Sequence, residues 1–207
     1  MVSERDRVLS VIGYLKTLGL EVNWKKNKAR GNKGFFMAKS DKYRIDISKD
    51  LTDKEALRVL VHEFCHYIHY QNDRTLKSLD FLHKELDDVL MEEMISITVS
   101  SIKKESVKPL FEMRAALKSD IKKIETSSMS FVQGFELYSK RKMLSRINSK
   151  ISRINRYYNS TTELFARSME EFILEKEKFN QKAPNLYILY SDFVKNSDIM
   201  LKFLKLC

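Results

Sequence analysis

The chain opens with a helical period. Val8, Val11, Ile12, Leu15 and Leu18 fall on one stripe, Ser3 stands at the capping position and Gly19 ends the pattern, which predicts an amphipathic helix over residues 3–18. The period then shortens to two. "LEVNWKK", "GFFMAKS" and "YRIDISKD" are short, rich in β-branched and aromatic residues, and set apart by "NKARGNK" and "SDK". A small N-terminal antiparallel sheet of about three strands is expected. In the last strand Tyr43, Ile45 and Ile47 alternate with Arg44 and Asp46, which suits one face on a core.

Helical spacing returns at a capping box, Thr52 and Glu55, and continues through about Tyr70. A linker at 72–79 leads to a further helical stretch over about 84–104, with Pro109 breaking it or lying in the turn after it. From 110 to 158 the pattern is helical, with a pause at "TSSMS". Leu137, Leu144, Ile151 and Tyr158 recur every seven residues and Ile147 and Ile154 fill the alternate positions, a seam suited to a hairpin or a short coiled coil. A helix over about 161–179 follows, and Pro184 separates it from a helical tail. These elements predict a mostly helical α+β fold.

Composition narrows the class. A length of 207 residues with 43% hydrophobic and 32% charged residues, five Gly and two Pro fits one globular domain spanning 1–207. Apolar runs are short and broken by charge, so no membrane association is expected, and "MVSERDRVLS" lacks the basic start and apolar core of a signal peptide. The expectation is a cytoplasmic protein in which Cys65 is a buried thiol rather than half of a disulfide.

The formal charge is +10, and residues 103–160 hold 14 Lys or Arg against five Asp or Glu. Over 140–156 there is no acidic residue. Such a stretch either forms a solvated helical face or meets something acidic, and nucleic acid is the partner expected of the 140–156 helix in the second case. The heptad seam either joins two copies or packs against the 110–124 helix, which makes the chain a monomer or a weak homodimer.

Candidate chemistry lies in "RVLVHEFCHYIHYQ", residues 58–71. His62 and His66, four apart on a helix, can present two imidazoles to one zinc ion, and Glu63 stands where a general base for a metal-activated water is needed. Two histidines leave the ion short of a protein ligand. His69, seven residues after His62, is near the same face but a turn too far for the same ion, and reads as a neighbour.

With these residues the sequence resembles the zincin metallopeptidases, in which a sheet with an edge-like strand, here "YRIDIS", precedes the His-Glu-x-x-His helix. Residues 67–72, "YIHYQN", lack the glycine and third histidine of metzincins, so the resemblance implies the gluzincin arrangement, with a glutamate from a later helix. Two segments compete. "MEEMISITVSSI", 91–102, is similar to the segment after the motif in ImmA/IrrE-type proteases and ArdC-like antirestriction proteins. Glu93 and Ser96 match its start, while Ile97 stands in place of the second acid. "YYNSTTELFARSMEEFI", 157–173, looks like the "ElFARafE" motif of metallopeptidase-like domains in polyvalent proteins of phages and conjugative elements. Glu163, Phe165, Ala166, Arg167 and Glu170 all match it.

The resemblance thus implies one Zn2+ per chain on His62, His66 and Glu163, with Glu93 or Glu92 as the competing third ligand. Glu170 is placed to hold a ligand histidine by its second nitrogen, and Arg167 to pair with Glu163 or clamp a substrate carboxylate. Tyr157 or Tyr158 is placed to donate to an oxyanion, and packing within the seam is the competing role of Tyr158. Residues 105–158 become a basic helical insertion. The implied function is a zinc metallopeptidase of a mobile element or phage, with Glu63 and Tyr158 catalytic and a specific peptide or protein as substrate. The alternative is a nucleic-acid-associated or antirestriction-type protein whose zinc site is structural or vestigial.

Overall fold

Two capping boxes set the first two helices. The structure, a computed structural model, describes residues 3–25, 33–39, 42–82, 87–101, 104–126 and 130–207. Ser3 and Asp6 exchange side-chain and backbone hydrogen bonds at the start of α1 (Glu4–Thr17), and Thr52 and Glu55 do so for α2 (Asp53–Asn72). Gly19, at φ +79°, turns the chain out of α1 in a conformation that a side chain would strain.

The sheet is mixed rather than antiparallel throughout. Strands β1 (Leu20–Lys25), β2 (Gly34–Lys39) and β3 (Lys42–Ser48) lie in the order β1-β3-β2, with β1 parallel and β2 antiparallel to β3. "YRIDIS" is therefore the central strand and β2 the edge. Its residues explain the position: Ile45 and Ile47 are fully buried, and Asp46 is buried too, held by Arg44 and Lys25. Such a strand needs cover on both faces and a partner on both sides. The simple alternation expected for one buried face gives way to four successive buried residues, Ile45 to Ser48.

Helix α2 lies against this sheet and against α1 and α6 (Thr161–Leu174), which leaves little of it exposed. Between α2 and α6 run a 3-10 turn (Asp80–Leu82), α3 (Asp88–Ser101), α4 (Lys104–Glu125) and α5 (Phe131–Tyr158); α7 (Lys176–Lys182), α8 (Pro184–Lys195) and α9 (Asp198–Leu204) close the chain. Phe64 of α2 stacks on Phe203 of α9 with ring centroids 3.8 Å apart. Tyr190 of α8 is fully buried, and its hydroxyl meets Ser168 Oγ at 2.6 Å.

Several boundaries differ from the sequence expectation. Pro109 lies inside α4 rather than after a helix, in the second turn. The helix expected over 161–179 bends at Glu175 into α6 and α7, which lets Phe172 and Phe179 meet edge to face across the bend at 5.6 Å. Pro184 opens α8 at its first position, where a missing N–H is harmless. Of the expected 84–104 helix, residues 84–86 and 102–103 lie outside the described residues, as do 127–129 in "TSSMS" and most of "NKARGNK".

The chain divides into two compact units, Met1–Val99 with Ser160–Cys207, and Ser100–Asn159. The second unit corresponds to the expected insertion at 105–158 and has a small core of its own. Leu117 of α4 packs with Ile147 and Ile151 of α5, flanked by Leu110 and Leu144, so the heptad seam closes within one chain. Ion pairs from Lys140 to Asp120 (2.7 Å) and from Arg141 to Glu125 (2.6 Å) fix the register of this hairpin. Among the described residues no helix is long and apolar enough to cross a membrane.

Candidate metal centre

His62 and His66 project from α2 toward Glu163 in the first turn of α6. The facing nitrogens His62 Nε2 and His66 Nε2 are 3.2 Å apart, and the Glu163 carboxylate lies 3.7 Å from the first and 3.3 Å from the second. Three ligands held tetrahedrally at about 2.0–2.1 Å from one zinc ion would stand about 3.3 Å from one another. The histidine pair stands near that edge, the Glu163 carboxylate meets the two rings through different oxygens, and among the described residues this His-His-Glu group could hold a metal ion.

The second nitrogen of each histidine is also fixed. His62 Nδ1 meets Glu170 Oε2 at 3.0 Å and His66 Nδ1 meets Thr162 Oγ1 at 2.9 Å, so both rings are locked with Nε2 inward. Arg58, one turn before His62, donates from Nε to Glu170 Oε1 at 2.5 Å and pairs with Glu171 through its other nitrogen. Arg167 Nε donates to Glu163 Oε2 at 3.1 Å. Glu163 and Glu170 are 3% and 8% exposed, a burial that would be prohibitive for unpaired carboxylates.

Burial works against charge on each of these groups, but the pairing is stronger. It holds the carboxyls of Glu163 and Glu170 below the usual range through hydrogen bonds to the histidines, aided at Glu170 by Arg58. His62 is driven up to about 10 by hydrogen bonds to the same two glutamates, against the effect of burial. Without metal, then, His62 carries a proton that a zinc ion would replace.

Glu63 is not one of the converging ligands. It points to the sheet, where Phe36 N–H of β2 donates to Glu63 Oε2 at 2.7 Å. Burial raises its carboxyl pKa, and the nearby histidines and the Phe36 N–H only partly offset this. Space for the side chain comes from Gly34: a Cβ there would lie 2.3 Å from Val59 Cγ1 and 2.8 Å from Glu63 Oε1. Ser48 N donates to Lys33 O in the β2–β3 ladder, so the alternate residues Gly34, Phe36 and Ala38 turn their backbone groups away from β3, toward the open edge and Glu63.

Of the other candidates in this unit, His69, Glu93 and Glu92 have different surroundings. His69 is buried and its Nε2 meets Ser78 O at 2.8 Å; burial lowers its pKa, and its ring packs between Phe81 and Phe165. Glu93 receives Leu186 N (2.8 Å) and Asn185 Nδ2 (2.9 Å) at the start of α8, and Glu92 is exposed, so neither joins the histidines. Tyr158 ends α5 in the hairpin unit, its ring 5.2 Å from that of Tyr157. Cys65 is buried and free.

Sequence reasoning missed Arg58, Thr162, Gly34 and the Phe36 N–H. Arg58 carried a signal, since it stands four residues before His62 and thus on the same helix face; the others are set by tertiary packing. Comparisons with protein-family models, with curated proteins and with solved structures return no match.

Two outcomes follow from this geometry. His62 has a folded pKa of about 10 against an ordinary 6.5, so it contributes stability that is complete below pH 6.5 and is lost as pH rises through 10. Thermal unfolding of metal-free protein should therefore fall in temperature across that window; a flat profile would show that His62 is not held protonated. Gly34→Ala should destabilise by about 1–3 kcal/mol in urea unfolding, because Val59 and Glu63 must both shift. Unchanged stability would mean that the tight approach of α2 to β2 is absent.

Proposed function

We propose that this chain is a zinc-dependent peptidase of gluzincin type, acting in the cytoplasm on a specific protein, with Glu63 as general base. The reading rests on one observation above all: two histidines and Glu163 converge at metal-ligand spacing while the adjacent Glu63 is held apart from them, on the sheet edge. A merely structural site would not need a buried carboxylate of raised pKa beside three converging ligands.

A zinc ion held by His62, His66 and Glu163 would supply a water of lowered pKa and polarise the substrate carbonyl. Glu63 Oε1, the oxygen not engaged by Phe36 N–H, would accept a proton from the attacking water and return it to the amide nitrogen as the carbon–nitrogen bond breaks. Phe36 N–H and the gap at Gly34 fix the direction of this carboxylate, and Glu170, Arg58 and Thr162 fix the two imidazoles. The outward backbone groups of Gly34 and Ala38 suit an extended peptide that adds a strand to β2 beside Glu63. The sequence role of Tyr158 as oxyanion donor belongs to the same reading.

Cleavage of a proteome-derived peptide library, read by mass spectrometry, tests the assignment. Zinc-loaded protein should cut, Glu63→Gln should keep its zinc and lose rate by about 10²–10⁴-fold, and Glu163→Gln should lose zinc and activity together. Equal cleavage by Glu63→Gln, or none by the zinc-loaded wild type, contradicts it.

A further inference from the structure

Helix α5 presents two different sides. Leu144, Ile147 and Ile151 face α4, and the opposite side is reached from Phe131 by steps of three or four residues. In its first turns that outer side carries Phe131, Phe135 and Tyr138, which are 84%, 64% and 66% exposed, the first two rings 5.0 Å apart. An aromatic row this exposed on a helix has no packing role within the hairpin.

Farther along, the same side becomes cationic. Lys142, Arg146, Arg153 and Arg156 continue the line, with Lys150 at its flank, and all five are exposed. None of them forms an ion pair among the described residues, whereas Lys140 and Arg141 are paired with Asp120 and Glu125. Ser145, Asn148 and Ser152 place short hydroxyl and amide donors between the cations, and with Arg141 and Arg156 they help line a surface cavity of about 640 Å³.

Unpaired cations interleaved with short donors suit phosphates, and a row of aromatic faces on the same line suits unpaired bases. We propose that the outer side of α5 binds single-stranded nucleic acid, with phosphates along 142–156 and bases stacked on Phe131, Phe135 and Tyr138. Duplex would satisfy the cations only, because its bases are already stacked. A bilayer fits less well. Arg156 lies about 37 Å along the helix from Phe131, far beyond the ~8 Å screening length, so a membrane holding the aromatic turns would not feel the distal cations. A helix lying flat would bring only Tyr157, at its flank, toward the surface beyond the aromatic turns. The proposal stands independently of the zinc site, since every residue it uses lies in the hairpin unit.

Fluorescence anisotropy of the full chain with a labelled 20-nucleotide mixed-sequence single strand tests it, alongside the matching duplex, phosphatidylserine vesicles and polyglutamate. Five phosphate contacts predict that log K falls against log salt with a slope of about −3.5. Arg146→Gln with Arg153→Gln should flatten that slope by about 1.4. Phe131→Ser with Phe135→Ser should weaken binding by roughly 5- to 150-fold per stacked base and leave the slope unchanged. Both double variants change exposed positions, and circular dichroism and zinc content should match wild type. Equal or tighter binding of duplex, vesicles or polyglutamate, no binding of the single strand, or an aromatic variant that binds like wild type would each overturn the proposal.

Discussion

The structure around the candidate site depends on the burial of two carboxylates. Glu163 and Glu170 lie on α6 two turns apart, nearly out of solvent, and each such charge is tolerable only with fixed partners. The partners come from α2: His62 and His66 face Glu163, and His62 and Arg58 face Glu170. This pairing sets the rotation of α6 against α2, because turning either helix would leave Glu163 with Arg167 only and strip Glu170 of Arg58 and His62. The apolar core follows the same register. Leu164, Phe165 and Met169 are buried beside the acids, while Phe64 and Ile68 of α2 fill the faces that the histidines leave free.

Helix α2 consequently serves three surfaces at once. One face carries the two imidazoles to α6, a second packs on α1 and α9, and a third sends Glu63 to β2. The glycine in β2 matters for that third surface, since the Glu63 carboxylate can reach the strand only where no Cβ intervenes. A sheet of three short strands could hardly stand alone, yet its edge offers an outward backbone N–H to a buried carboxylate. Raised affinity for protons at Glu63 and lowered affinity at Glu163 then arise from the same burial, with the sign set by whether cationic partners dominate.

How much of this was legible in the sequence varies with the range of the interaction. The capping boxes at Ser3 and Thr52, the stripe of α1, and the pairing of His62 with His66 are local, and short-range spacing is enough to read them. Glu163 is distant in sequence, and no spacing rule reaches it; a motif resemblance singled it out over Glu93, which caps α8 instead. The expected antiparallel sheet with "YRIDIS" at an edge gives way to a mixed one, because the burial of Ile45 and Ile47 places β3 between the other two strands. A backbone N–H such as that of Phe36 has no letter of its own in the sequence, and Gly34 reads there as an ordinary strand start. Residues Phe131 and Phe135 escaped notice for a similar reason, since the pause before them hides that they continue the basic face of α5.

The central claim is that one zinc ion sits between two histidines and Glu163 with a fourth position open to solvent. X-ray absorption at the zinc edge, on full-length protein loaded with one equivalent of zinc, tests it most directly. The account predicts a four-coordinate ion with only nitrogen and oxygen neighbours at about 2.0–2.1 Å, two of them imidazoles, and a changed oxygen contribution in Glu163→Gln. A sulfur neighbour at about 2.3 Å, or a spectrum that Glu163→Gln leaves unaltered, would contradict it.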